Sequence, residues 1–250
     1  MKEEEGFILY FDILGYKNIV NSATPEIDER LRYILDLYSE RQGRLNFDFV
    51  FNEKYINNKE KLMMRCFSDN FLFLYENRNY EECDTEKKRI NYFLTLNNMI
   101  CVASMIQRQF IEKGILTRGS ISFGKINYNS KIIYGKSLIK AVELEEGHEE
   151  PSIVVDNYFK SIEDKQLYLY EKMVSPFDCH KNSSLDHYEI VCGIKKYLST
   201  LDLSNCSDED KNHILKKIKW LIDKMNEHFA YNGVKKYTIS NDYKLIELKN

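Results

Sequence analysis

Two aspartates stand out in this 250-residue sequence: Asp12 in FILYFDILGY and, 57 residues later, Asp69 in RCFSDNFLFLY. Each follows a strand-like run, so adjacent antiparallel strands would bring both carboxylates to one sheet edge. Two hard oxygen ligands placed there suit Mg²⁺ or Mn²⁺. Between Asp12 and the helix that follows runs Ile13-Leu14-Gly15-Tyr16, whose backbone N–H groups and glycine make an anion-binding turn. Carboxylates, metal and phosphate cradle together point to phosphoryl chemistry on a nucleotide. Taken singly, an Asp ending a strand can cap the next helix and an Asp in a hairpin is ordinary turn chemistry. It is the combination that carries the reading.

Other reactive side chains form no comparable constellation. The five histidines, at 148, 180, 187, 213 and 228, show no paired spacing on one helix, and Cys179 beside His180 has poor geometry for mutual activation. The six cysteines lack CxxC pairs and disulfide-scaffold density, and read as reduced thiols of a cytoplasmic protein. The basic run Lys211 to Lys219 alternates with apolar residues as the solvated face of a helix does. Met63 and Met64 read as core or pocket fillers.

The elements that must position the aspartates are legible in outline. Gly6 to Ile13 is apolar on both faces, as a central covered strand should be, with Asp12 at its carboxyl end. Leu14 to Asn21 reads as a short helix, and Pro25 opens a longer one through Ile27, Leu31, Ile34, Leu35 and Tyr38. Lys61 to Ser68 and Phe71 to Glu76 are strands joined by Asp69 and Asn70 in a tight turn. After a polar loop at 77–87, Phe93, Leu96, Ile100, Ala103, Ile106 and Phe110 mark the buried face of a long helix ending near Gly114. Leu116 to Gly124 alternates as a strand, Asn127 to Asn129 turns, and Lys131 to Tyr134 returns; Ser137 to about Glu146 is helical and Ser152 to Asp156 a short strand. Helical patterns resume at Leu185 to Leu198 and Asp208 to Phe229, the latter with a stripe of Ile214, Ile218, Leu221, Ile222 and Met225. This order predicts an α+β sandwich, a mostly antiparallel sheet with covering helices.

Composition narrows the partners. Thirty-six Lys and Arg against 39 Asp and Glu give a net charge of −3, no overall field for nucleic acid or anionic lipid. The acidic start MKEEEG precedes a short apolar run, unlike a secretory signal. The longest uncharged stretch, Ile90 to Gln107, contains Asn91, Asn97, Asn98 and Ser104, so a buried helix is expected rather than a membrane span. Ten glycines and three prolines argue for a chain that is mostly folded, and no Pro/Gly linker or internal repeat divides it.

The segments FILYFDILGYKNIV, RCFSDNFLFLY, TRGSISFGKI, IIYGKSLIKAVELEE and PSIVVD resemble the class III nucleotidyl cyclase family, most of all its bacterial antiphage branch, the Pycsar pyrimidine cyclases. The resemblance covers roughly residues 5 to 156. It implies a ferredoxin-like cyclase core over 1–156, with 157–250 as an α-rich extension packed on that core rather than an independent domain. It implies that Asp12 and Asp69 bind two divalent ions, Mn²⁺ or Mg²⁺, with the Ile13 carbonyl as a further ligand. Phe11, Gly15, Tyr16 and Arg65 are the implied nucleotide contacts. The implied reaction is attack of the ribose 3′-oxygen on the α-phosphate, closing a 3′,5′-cyclic monophosphate and expelling pyrophosphate. Two subunits of a homodimer would share each active site, and the product would act on a separate effector.

Departures from the family pattern bear on the substrate. Arg65 stands where purine cyclases carry a base-reading Lys, and its several donors suit O2 and O4 of uracil. Ile132 stands where adenylate cyclases carry an Asp, and cannot accept from adenine N6. These features favour UTP over CTP and over purines. Ile139 and Glu143 occupy the positions of the family's ribose-orienting Asn and transition-state Arg, which leaves Arg118 and Lys140 as candidate transition-state cations, Arg118 foremost.

Overall fold

The structure, a computed structural model, describes residues 2–21, 24–39, 43–45, 62–76, 85–129, 131–156, 184–199, 201, 203, 206–230, 237–240 and 244–247. Four strands make the frame: β1 (Lys2–Ile13), β3 (Leu62–Phe67), β4 (Asn70–Glu76) and β5 (Thr117–Tyr128), in the order β3-β4-β1-β5 and antiparallel throughout. This order is the ferredoxin-like one, and the α+β class is as expected. Three short strands extend the sheet. β2 (Gly43–Leu45) adds beyond β3, β6 (Ile133–Tyr134) beyond β5, and β7 (Ile153–Val155) pairs with β5 in parallel.

The central position of β1 explains its two-sided apolarity. Phe7, Leu9, Phe11 and Ile13 face a core completed by α2 (Pro25–Ser39) through Leu31 and Ile34, and by α3 (Thr85–Glu112) through Leu96, Ile100, Ala103, Ile106 and Phe110. Ile8 faces the other way, into a smaller cluster with Met63, Leu74, Ile126 and Ala141 of α4 (Lys136–Glu146). Helices α2 and α3 thus cover one face of the sheet and α4 the other. Five of these β1 side chains, Phe7, Ile8, Leu9, Phe11 and Ile13, are at most 1% exposed. Burying each fully is worth about 1.5–3 kcal/mol, so the strand that carries Asp12 is the best anchored in the sheet.

Close approach of strands and helix depends on small residues. A Cβ on Gly119 would lie 2.3 Å from the Tyr10 carbonyl oxygen and 2.4 Å from Phe11 Cβ, so only glycine lets β5 pair this tightly with β1. Helix α4 presents Ser137, Ala141 and Glu145 at i, i+4, i+8 to the sheet. Ser122 Oγ donates to the Ser137 carbonyl at 2.7 Å and Ser120 Oγ to the Ala141 carbonyl at 2.6 Å, both from fully buried serines.

Beyond the sheet lie α5 (Ser184–Ser199), α6 (Asp208–Ala230) and a hairpin of β8 (Tyr237–Ile239) with β9 (Leu245–Glu247). Ile190, Val191, Ile194, Ile218, Leu221, Ile222 and Met225 form a second core, which Leu14, Ile111 and Leu116 join from the first. The apolar stripe expected in the last long helix is therefore what docks it.

Several expected boundaries shift. The hairpin turn is Ser68-Asp69, with Ser68 at φ 57° in its first position and Asn70 already paired in β4, not Asp69-Asn70. Strand β5 continues through Asn127 and Tyr128, where a turn was expected, because Lys2 and Glu3 of β1 extend to pair with them. The returning strand shrinks to two residues, β6, and the first helix, α1 (Tyr16–Asn21), begins two residues late because Leu14 and Gly15 form the turn. The expected loop at 77–87 loses its last three residues to α3, which begins at Thr85, while Lys61, residues 77–84, Cys179 and His180 lie outside the described residues.

Candidate active site

Sheet register sets two rows of side chains on the face that α4 partly covers. The row at the end of the sheet is Phe67, Asn70, Asp12 and Arg118; two residues further in lies Arg65, Leu72, Tyr10 and Ser120. Asp69 adjoins the first row from the hairpin turn, and its carbonyl accepts from the Ile13 N–H at 3.2 Å. The two aspartates that lie far apart in sequence thus meet at one end of β1.

The carboxylates are coupled. Burial first, then a hydrogen bond with the adjoining Asp69 carboxyl and the charges of Asp69 and Glu145, push Asp12 up to about 7 from an ordinary 3.8, with Arg118 offsetting only part. Asp12 Oδ1 is buried with no hydrogen-bond partner among the described residues. Asp69 is held by Asn70, whose Nδ2 donates to Asp69 Oδ1 at 3.3 Å, and Asn70 Oδ1 in turn accepts from the Tyr10 hydroxyl. Burial and the surrounding carboxylates push the Tyr10 phenol up to about 12, so it stays protonated as a donor. Tyr10 and Asn70 were not among the expected site residues; their only sequence signal is adjacency to the two aspartates.

An orphaned buried carboxylate oxygen beside a second carboxylate is a donor set that fits a hard divalent cation. Asp12, Asp69 and the main-chain carbonyl of Ile13 are the groups that would hold it. Among the described residues, no group of three or more His, Cys, Asp or Glu side chains forms a closed cage. A cation here would therefore complete its shell with solvent or ligand oxygens, as Mg²⁺ ordinarily does.

Arg118 is committed to other partners. Its Nε pairs with Glu145, only 4% exposed, while Nη1 donates to the His148 carbonyl at 3.0 Å and Nη2 lies 3.9 Å from Asp12 Oδ2. His148 is fixed by contacts of both ring nitrogens with the Leu144 and Ser152 carbonyls, at 3.0 Å each. Burial raises the Glu145 carboxyl and Arg118 pulls it back. Glu145 escaped the sequence reading, although its place on the 137/141/145 stripe of α4 was the available signal.

The remaining candidates divide by location. Phe11, expected among the nucleotide contacts, is fully buried, stacked on Phe71 and Phe73 and edge-on to Phe110, so any ligand contact from that position is confined to its main chain. Gly15, at φ 73°, is exposed in the turn before α1, and the Tyr16 ring packs on the main core. The Leu14 N–H is taken by the Leu116 carbonyl at 2.9 Å, so an anion at this turn would meet N–H groups only from Gly15 onward. Arg65 shares the face of Asp12 two strands away, about 10 Å across the sheet, and its Nη1 donates to the Met64 carbonyl at 2.8 Å. Ile139 and Glu143 lie on the exposed side of α4, as does Lys140.

No helix among the described residues is long and apolar enough to cross a membrane. No protein-family model matches the chain, and no curated protein matches it. Among solved structures, it is similar to the adenylyl cyclase CyaB from P. aeruginosa at 12% identity and TM-score 0.37, over 64% of this chain and 83% of that one. The guanylyl cyclase Cya2 is similar at 12% identity and TM-score 0.41, over 66% and 81%. A class III adenylyl cyclase-like ATP-binding protein from Pseudomonas aeruginosa is similar at 13% identity and TM-score 0.38, over 95% of this chain and 46% of that one.

Proposed function

We propose that the chain is a pyrimidine nucleotide cyclase that converts UTP, in preference to CTP, to the 3′,5′-cyclic monophosphate and pyrophosphate, as the second messenger of an antiphage system. The observation that carries this reading is the meeting of Asp12 and Asp69 at one sheet edge, in the motif frame that resembles the class III cyclases. When bound, divalent ions supply charge neutralisation at the triphosphate and acidify the ribose hydroxyl. The chain's own part begins with Tyr10 and Asn70, which hold the Asp69 carboxyl, while Asp12, whose burial favours its protonated form, would hold a cation as the carboxylate. Arg65 is the proposed base contact, supported by its guanidinium donors and by sharing the face of Asp12, about 10 Å across the sheet. Arg118 lies 3.9 Å from the Asp12 carboxylate and is paired through Nε with Glu145.

A homodimer with shared sites, acting in the cytoplasm, belongs to the same proposal. Its support is the exposure of apolar Ile132 (54%), Tyr134 (46%) and Ile139 (60%). Such residues on α4 and beside β6 suit a second copy of the chain. The test is incubation of purified protein with Mn²⁺ and UTP: pyrophosphate and a cyclic product are expected, and neither from Asp69→Ala.

A second reading, a catalytically silent nucleotide-binding module, draws on the tie between Arg118 and Glu145 together with Ile139 and Glu143 at the positions of the family's Asn and Arg. Nucleotide affinity that Asp12→Ala weakens, without turnover of any nucleotide, would mark that state. Cyclic AMP or cyclic GMP in the same assay would mark a purine cyclase.

A further inference from the structure

On the far side of the Leu14-Gly15 turn lies a cavity of about 500 Å³, walled by α2, the link from α3 to β5, and α6 with the residues that precede it. Its size is that of a small-molecule pocket. Arg30, Lys113, His213 and Lys217 line it, with Asp210 the one carboxylate among the described lining residues. Asp210 is already engaged: its Oδ2 accepts from Ser207 Oγ at 2.6 Å at the start of α6.

The basic side chains differ in what they have left to offer. Lys113 places its ammonium 4.4 Å from the centroid of the Tyr33 ring, and His213 Nδ1 lies 3.4 Å from Glu149 Oε2. Arg30, with a side chain 14% exposed, gives Nε to the Glu26 carbonyl and Nη1 to the Lys113 carbonyl, and keeps Nη2 3.7 Å from Glu26 Oε1. Lys217 has no hydrogen bond or ion pair among the described residues, although it is half-buried in the cavity wall. Burial, and then Arg118 nearby, lower its pKa, with Glu149 and Glu150 offsetting part of that. Glu149 and Glu150 compensate this half-buried ammonium only in part, and an anion entering the cavity would relieve the remaining cost.

We infer that this cavity binds the oligophosphate group of a small molecule, with Lys217 of α6 and Arg30 of α2 as its cationic contacts. Two cations from different helices lining one cavity suit an anion whose charge is spread over several groups, and a guanidinium matches phosphate oxygens in geometry. The inference stands on the cavity and its cations, and does not require the cyclase reaction. Helix α6 of the C-terminal part supplies one wall of this cavity beside the Gly15 turn.

The test is calorimetry of the full chain with inorganic tripolyphosphate in the presence of EDTA, so that the aspartate pair cannot contribute through a metal. One site per chain is expected. Lys217→Ala should weaken binding about tenfold or more, the usual cost of a lost charged hydrogen bond, and Lys217→Arg should largely preserve it. Asp12→Ala should leave it intact. Absence of tripolyphosphate binding, or equal affinity in wild type and a Lys217→Glu variant with an unchanged melting curve, would overturn the inference. Metal-free UTP separates the two sources of the phosphate group. Displacement of tripolyphosphate assigns the cavity to the tail of a nucleotide, and simultaneous binding assigns it to a second phosphorylated ligand.

Discussion

Arg118 reaches two carboxylates from one side chain: Nε pairs with Glu145 beneath α4, while Nη2 stays 3.9 Å from Asp12 Oδ2. The guanidinium therefore links the helix to the end of β1. Glu145 is the more buried partner, and removing it leaves the part-buried guanidinium with only the longer contact to Asp12 as charge compensation. Glu145→Ala should lower stability by roughly 3 kcal/mol, read from urea denaturation, with Arg118→Ala similar and the double variant less than additive. Full additivity would show that the pair is not coupled.

Asp12 makes stability depend on pH in a defined direction. Its folded pKa is about 7 against an ordinary 3.8, so between these values the folded state holds a proton that the unfolded state has released. Its contribution is fully present below about pH 4 and lost as pH rises through 7. In metal-free buffer, Asp12→Asn should therefore raise the melting temperature relative to wild type by an amount that grows from pH 5 to pH 8. Saturating Mn²⁺ should shrink that difference, by stabilising the wild-type carboxylate. A pH-independent difference would count against the coupling.

Gly119→Ala probes the spacing of β1 and β5 next to Asp12. The new Cβ would meet a main-chain carbonyl at 2.3 Å, which cannot rotate away. Destabilisation of about 1–3 kcal/mol is expected, with Mn²⁺ binding by calorimetry weakened as the end of β1 shifts. Unchanged Mn²⁺ affinity would separate strand pairing from the site.

Arg65→Ala should raise the KM for UTP and reduce preference among the four nucleotides, with Mn²⁺ binding preserved, since Arg65 lies about 10 Å across the sheet from Asp12. Equal loss for every nucleotide would assign Arg65 to phosphate or structure instead of base.

What could be read from the sequence depended on whether a local pattern recorded a non-local fact. The two-sided apolarity of β1 and the stripes on α3 and α6 did, because burial on both faces or one face writes its own period. The Ser68-Asp69 turn was misplaced by one residue: Asn70 has turn propensity, yet its pairing with Phe67 and Asp12 and its hydrogen bond from Tyr10 hold it in β4. Strands β2, β8 and β9, three residues each, carry too little pattern to be seen without their partners. The motifs named Asp12, Asp69 and Arg118, which the fold brings together, but not Glu145, the buried carboxylate that pairs with Arg118. A glutamate in VELEE reads as solvated until the packing of Ser137 and Ala141 on β5 turns it toward the sheet.

The central claim is most directly tested by offering the purified chain an equimolar mixture of ATP, GTP, CTP and UTP with Mn²⁺ and identifying the products by chromatography and mass spectrometry. Cyclic UMP should predominate, with pyrophosphate in equal amount, and Asp69→Ala should yield neither. No cyclic nucleotide from any of the four would contradict the account.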